Sequence, residues 1–121
     1  MSRVVHFEIN ADNPERAVKF YSTVFGWKIE KWSGGQPYWL ATTGAEGEMG
    51  INGAIKPRDD NQTTVNTIGV ASVDESLNTI EKAGGKVVQP KMPIPGIGEF
   101  AYCQDTEGNV FGILKPDMSV K

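Results

Sequence analysis

One pattern occurs twice in this chain, sixty residues apart (66 − 6 = 60), and it restricts the possible folds more than any other feature. The first copy reads His6-Phe7-Glu8-Ile9-Asn10-Ala11-Asp12-Asn13-Pro14-Glu15-Arg16-Ala17. The second reads Asn66-Thr67-Ile68-Gly69-Val70-Ala71-Ser72-Val73-Asp74-Glu75-Ser76-Leu77. In each, a short apolar strand runs into a polar cap, an acid and an amphipathic helix, and the helix ends near glycine, at Phe25-Gly26 and at Gly84-Gly85. Few letters are shared, so the order of elements carries the signal. A repeat of this length points to two small modules sharing one core. Each half offers about one helix and four strands, too little to bury its own apolar face.

Read along the chain, Val4 to Ile9 alternates as a strand, with His6 and Glu8 on one face and Val5, Phe7 and Ile9 on the other. Two polar residues on an inward face would be costly in a dry core, but they suit a face that lines a cavity. Asp12 or Asn13 caps the first helix, and Pro14 sits where its missing N–H is harmless. Ala17, Phe20, Tyr21, Val24 and Phe25 recur at three- and four-residue spacing and form the expected buried stripe. Strands are predicted over Trp27–Trp32, Tyr38–Thr43 and Met49–Ile55. The polar stretch Lys56–Thr64 reads as a linker. A strand over Val65–Val70 follows, then a helix capped by Asp74 with Leu77, Ile80 and Ala83 on its inner face. Lys86–Gln89 is a strand, and Pro90–Gly98, with three prolines and two glycines, is predicted as a loop. Glu99–Gln104 and Val110–Lys115 close the chain around a turn at Asp105–Asn109. The expected architecture is α+β, one domain over 1–121: module one 1–56, linker 57–64, module two 65–116 and tail 117–121.

Composition removes several function classes. The net charge is −3 and the basic residues are scattered, so no nucleic-acid partner is expected. No apolar stretch is long enough to span a bilayer, so no membrane partner is expected. A strand begins within the first few residues, leaving no stretch that reads as a signal peptide. Cys103 is the only cysteine, which excludes an intramolecular disulfide and a cysteine-built zinc site and fits a cytoplasmic location. As a nucleophile it would have only His6 for a base; a lone strand thiol is more often a small core residue.

The stretches His6-Phe-Glu-Ile, Pro14 to Trp27, Val73-Asp-Glu-Ser-Leu, Ala83 to Val88 and Asp105 to Gly112 resemble the vicinal oxygen chelate superfamily. That group includes glyoxalase I, extradiol dioxygenases and bleomycin-resistance proteins, and the chain looks closest to its bacterial glyoxalase-related branch. The resemblance implies two β-α-β-β-β modules that curl into half-barrel sheets around a cavity, and a homodimer. It also implies a divalent metal held by four side chains from the first and fourth strands of each module. The matching positions are His6 and Asn66 (66 − 6 = 60), and Asn52 and Gly112 (112 − 52 = 60). They supply one imidazole, two carboxamides and no fourth side chain, whereas a catalytic metal needs about three good protein ligands. No cofactor is therefore expected; if a divalent metal is present, His6 with Glu8 or Asn52 holds it.

Two main readings of the function remain, beside the plainer one of a structural or regulatory module with no occupied cavity. In one, the chain is an enzyme with lyase, isomerase or dioxygenase-type chemistry on a small oxygen-bearing metabolite, with His6 and Glu8 as a catalytic acid–base pair. In the other it is a metal-free binding protein of the bleomycin-resistance type. Its cavity would then be lined by Asn52, Asn66, Trp39, Tyr102 and Gly112, with Tyr38 and Phe100 among the aromatic walls. Each residue also has a plainer role: a hydrogen-bonded strand histidine, a solvent-facing Glu8, carboxamides that satisfy backbone, aromatics that are simply core. The proline-rich 90–98 segment is either a lid or a rigid connection.

Overall fold

The structure, a computed structural model, describes residues 2–59 and 61–121; Met1 of the first module and Asp60 of the linker lie outside the described residues. Among the described residues the fold is α+β, with eight strands and two helices. In order they are β1 (Val4–Ala11), α1 (Pro14–Phe25), β2 (Lys28–Lys31), β3 (Trp39–Thr42), β4 (Gly53–Pro57), β5 (Thr64–Gly69), α2 (Val73–Lys82), β6 (Lys86–Ile94), β7 (Gly98–Gln104) and β8 (Val110–Pro116). The chain divides into two compact units. One is His6–Val65; the other joins Asn66–Lys121 to the segment ending at Val5, so the division falls inside β1 and inside β5.

In the His6–Val65 unit the strands lie in the order β2-β3-β4-β1. β2, β3 and β4 are antiparallel neighbours, and β4 runs parallel to β1 with Gly53 opposite Phe7 and Pro57 opposite Ala11. Helix α1 starts where the sequence places a cap: Asn13 Oδ1 accepts from the Arg16 N–H at 3.1 Å, and Pro14 follows. It ends at Gly26, whose left-handed φ of 71° lets its N–H reach the Ser22 carbonyl at 3.0 Å. The apolar stripe behaves differently from expectation. No residue of α1 is fully buried, and Phe20, Val24 and Phe25 are each more than half exposed. The helix is held by a narrower contact. Tyr21 stacks on Trp27 with centroids 5.0 Å apart, and Trp27 packs on Phe7 at 5.8 Å. Ala11, Ala41, Ala54 and Ile55 are buried apolar residues of this sheet.

The predicted fourth strand starts four residues later than expected, at Gly53 rather than Met49 (53 − 49 = 4). Gly47 (φ 87°) and Gly50 (φ 138°) take conformations that a strand does not use. Residues 42–52 instead wrap a hollow of about 410 Å3. The polar stretch read as a linker is pinned to the end of β1. Arg58 N–H donates to Ala11 O at 3.0 Å, and Asn10 N–H to Thr63 O at 2.9 Å. Arg58 also pairs with Asp12 at 2.8 Å, and Lys56 with Asp59 at 2.7 Å. Its polarity serves these contacts rather than slack.

In the other unit the order is β5-β8-β7-β6, with β5 parallel to β8 and the rest antiparallel. Its core is Val70, Val73, Ala101, Cys103 and Ile113, with Ile68, Leu77, Ile80 and Phe111 packed against it. Leu77 and Ile80 thus face inward as expected, while Ala83 is exposed at the helix end. The cap of α2 is Ser72 rather than Asp74: Ser72 Oγ accepts from the Glu75 N–H at 3.2 Å. Asp74 sits in the first turn, where its charge complements the helix dipole. The expected loop over 90–98 is also corrected. β6 continues through Pro90 and Pro93 to Ile94, and only a tight turn to Gly98 remains. β6 is the outermost strand of this unit, so its prolines leave no inner ladder bond unmade, and two register shifts absorb them.

Candidate active site

The site is built on β1. Its alternation puts His6 and Glu8 on the same face, two residues apart. The third member, Tyr38, comes from the segment just before β3. The turn Ser33-Gly34-Gly35-Gln36-Pro37 leads into it, and the Trp32 N–H closes the hairpin on Tyr38 O at 2.7 Å. The Trp32 indole lies over Gly34, where any Cβ would collide with it, and its edge packs on the Tyr38 ring with centroids 5.8 Å apart. Held this way, the Tyr38 hydroxyl lies 2.8 Å from His6 Nε2 and donates to Glu8 Oε2, also at 2.8 Å. The imidazole and phenol planes are 15° apart.

Glu8 is 6% exposed, and its burial is compatible with this charge-assisted bond. His6 is half-buried. Burial lowers its pKa below the ordinary histidine value, and the Glu8 charge partly opposes that shift. The plainer reading of Glu8 as a solvent-facing strand charge is therefore wrong. What the three side chains offer chemically is an imidazole joined through a phenol to a carboxylate.

The remaining expected residues are placed as follows. Asn52 precedes β4 and is exposed; its Oδ1 accepts from the Thr43 N–H at 2.9 Å and from Thr43 Oγ1 at 3.4 Å, closing the base of the 42–52 loop. Trp39 is half-buried on β3, opposite Lys31, whose ammonium lies 5.6 Å from its ring. In the other unit, Asn66 is exposed on β5. Gly112 on β8 lies opposite both Thr67 and Tyr102. A Cβ on Gly112 would stand 2.5 Å from Phe100 Cζ and 3.0 Å from Thr67 Oγ1, so the Phe100 ring takes the space of a side chain here. Phe100 meets Tyr102 edge to face at 4.6 Å. The Thr67 hydroxyl beneath is buried and has no hydrogen-bond partner among the described residues.

His6 and Glu8 thus come together as the sequence pattern suggests, and Tyr38 joins them. Sequence reasoning placed Tyr38 among aromatic walls and missed its hydroxyl. The available signal was that a phenol near a strand bearing His and Glu needs a partner for its polar tip.

The divalent metal implied by the family resemblance does not fit this donor set. His6 Nε2 and Glu8 Oε2 are both engaged by Tyr38, and Asn52 Oδ1 is turned to Thr43. Among the described residues no three His, Cys, Asp or Glu side chains gather as a set able to hold a metal ion.

Comparison with known proteins agrees with the fold. CFP32 of Mycobacterium bovis, a protein whose name includes the word glyoxylase, is 30% identical over 111 residues, covering 90% of this chain. The chain spans only 42% of that protein's length. A glyoxylase-like domain-containing protein of Didymella fabae is 31% identical over 112 residues, 88% of each chain. Among solved structures, Streptomyces coelicolor methylmalonyl-CoA epimerase superposes with a TM-score of 0.68 at 17% identity, covering 100% of this chain and 99% of that one. The hypothetical protein BH1468 of Bacillus halodurans does so with a TM-score of 0.68 at 12% identity, covering 96% and 95%. These structural likenesses speak for the fold. Residues 3–113 match the family model directly, and the chain belongs to the Glyoxalase/Bleomycin resistance protein/Dioxygenase superfamily.

Proposed function

We propose that this protein catalyses proton transfer on a small oxygen-bearing metabolite without a metal, in an isomerase- or lyase-type reaction. One observation supports this most strongly: the His6 imidazole and the buried Glu8 carboxylate are joined by the Tyr38 hydroxyl at 2.8 Å on each side. In this reading His6 takes a proton from a carbon beside a carbonyl, and the electron pair moves onto the carbonyl oxygen as an enolate. The imidazolium that forms is stabilised through Tyr38 by the Glu8 charge. Return of the proton to either face or to a neighbouring carbon completes an isomerisation, so no further reactant is needed. A positioned acid–base group of this kind accelerates proton transfer by about 10²–10⁴-fold.

The test is hydrogen exchange in D2O, followed by NMR, on α-hydroxycarbonyl compounds, dicarbonyls and the thioester methylmalonyl-CoA, the ligand of one structural neighbour. Exchange that falls at least a hundredfold in His6→Gln supports the reading. Exchange equal in the variant and the wild type overturns it.

A second reading is sequestration of a flat organic ligand, favoured by the Tyr38–Trp32 edge contact and the near-parallel His6 and Tyr38 rings. Each unit would then offer its own contact residues to the ligand, Trp39 and Asn52 in one and Asn66, Tyr102 and Gly112 in the other. A ligand that raises Tm without exchanging protons favours it. Both readings place a homodimer in the cytoplasm. The exposed Phe20, Val24 and Phe25 on α1 are apolar surface that such an assembly could cover, and sedimentation tests it. Metal analysis of protein purified without chelator tests the metal-free element: stoichiometric metal lost in His6→Ala refutes it.

A further inference from the structure

We infer that Tyr38 is a positioning residue that locks His6 in the Nε2–H tautomer, making Nδ1 the nitrogen that accepts a proton from substrate. This deepens the acid–base reading above and depends on it for the catalytic part alone. A phenol has one proton to give. The Tyr38 hydroxyl gives it to Glu8 Oε2, a carboxylate that can only accept. Its oxygen is left as an acceptor toward His6 Nε2 at 2.8 Å, so that nitrogen must carry a hydrogen. The neutral imidazole then holds its lone pair on Nδ1. The reverse arrangement, with Tyr38 donating to Nε2, would set the phenol oxygen and the carboxylate oxygen 2.8 Å apart with no proton between them.

The surrounding structure holds Tyr38 in place. The Trp32 N–H fixes its carbonyl, and the Trp32 ring, seated over Gly34, packs on its flank. Burial favours the neutral ring, which carries its proton on one nitrogen only, and the Tyr38 contact selects which one.

The chain contains a single histidine, so long-range 15N–1H NMR of uniformly labelled protein reports this ring alone. At a pH where His6 is neutral, the wild type is expected to show the Nε2–H form in large excess. Tyr38→Phe should reduce the Nε2–H to Nδ1–H ratio by roughly three- to tenfold, the effect of losing one such hydrogen bond. Glu8→Gln gives a second, opposite test. The carboxamide can donate to the phenol oxygen, Tyr38 can then donate to Nε2, and the Nδ1–H form should rise. A wild type that shows mainly Nδ1–H, or a ratio unmoved in the folded variants, overturns the assignment. If Tyr38→Phe does not fold, the wild-type spectrum and Glu8→Gln decide. No substrate is involved, so loss of the catalytic reading would leave this result standing, and the reverse also holds.

Discussion

Replacing Gly53 by alanine tests how tightly the strand that carries the site is held. Gly53 opens β4 and lies opposite Phe7, the residue between His6 and Glu8 on β1. A Cβ there would stand 2.5 Å from Phe7 O and 2.5 and 2.6 Å from two atoms of the Phe7 ring. The ring can rotate, but the carbonyl is in the β1 backbone and can move only with the strand. Where alanine fits, a glycine-to-alanine change stabilises by about 0.4–1 kcal/mol through the unfolded chain. Overpacking of a closed site costs about 1–3 kcal/mol, and the backbone contact puts Gly53→Ala toward the upper part of that range. The net expectation is a loss of about 1–2 kcal/mol, or a Tm lower by roughly 4–8 °C for a chain of this size. Urea and thermal unfolding followed by circular dichroism measure it, with Gly44→Ala as comparison. At Gly44 the atoms in the way are the flexible end of the Glu48 side chain, so that variant should stay within about 0.5 kcal/mol of wild type. If Gly53→Ala is as stable as Gly44→Ala, or more stable than wild type, the close approach of β4 to Phe7 is refuted.

Stability should also depend on pH through His6. Its folded pKa lies below the ordinary 6.5, so above that value the neutral form is present in both states and the contribution is complete. It is lost as pH falls from about 6.5 through the folded value, because the unfolded chain binds the proton first. His6→Gln should therefore flatten the stability profile over that window relative to wild type, and a difference independent of pH refutes the sign. Ser72→Ala removes the acceptor for the Glu75 N–H and should cost about 1 kcal/mol in denaturant unfolding, whereas Asp74→Ala should cost less. Cys103 is buried, and burial, with the Glu81 charge adding to it, pushes its thiol pKa up. A thiol reagent should modify it rapidly only in denaturant, and fast labelling of the native protein contradicts this.

The sequence was legible where the signal is local. The alternation in β1, the Asn13 cap with Pro14 behind it, and the glycine that ends α1 each depend on a few adjacent residues. The Ser72 cap is equally local: a serine three residues before Glu75 is a capping pattern, and the acid at Asp74 offers a competing cap in the same turn. The proline rule failed at β6 because it assumes an inner strand, and strand order is not written in the segment itself. On α1, amphipathic spacing shows which residues share a face, while the extent of the covering surface depends on Trp27 and Phe7. Glycine positions hid the late start of β4, since their left-handed φ values become apparent only once the loop is folded.

By itself the sequence determined the elements, their order, and the sharing of one strand face by His6 and Glu8, because backbone periodicity and capping act over a few bonds. Only the tertiary structure decided that the Tyr38 hydroxyl would stand between them, 30 residues along the chain from Glu8 and 32 from His6. That contact depends on which strands become neighbours and on how Trp32 seats the turn, and sheet pairing is fixed by the whole unit burying its apolar surface rather than by any local run of residues.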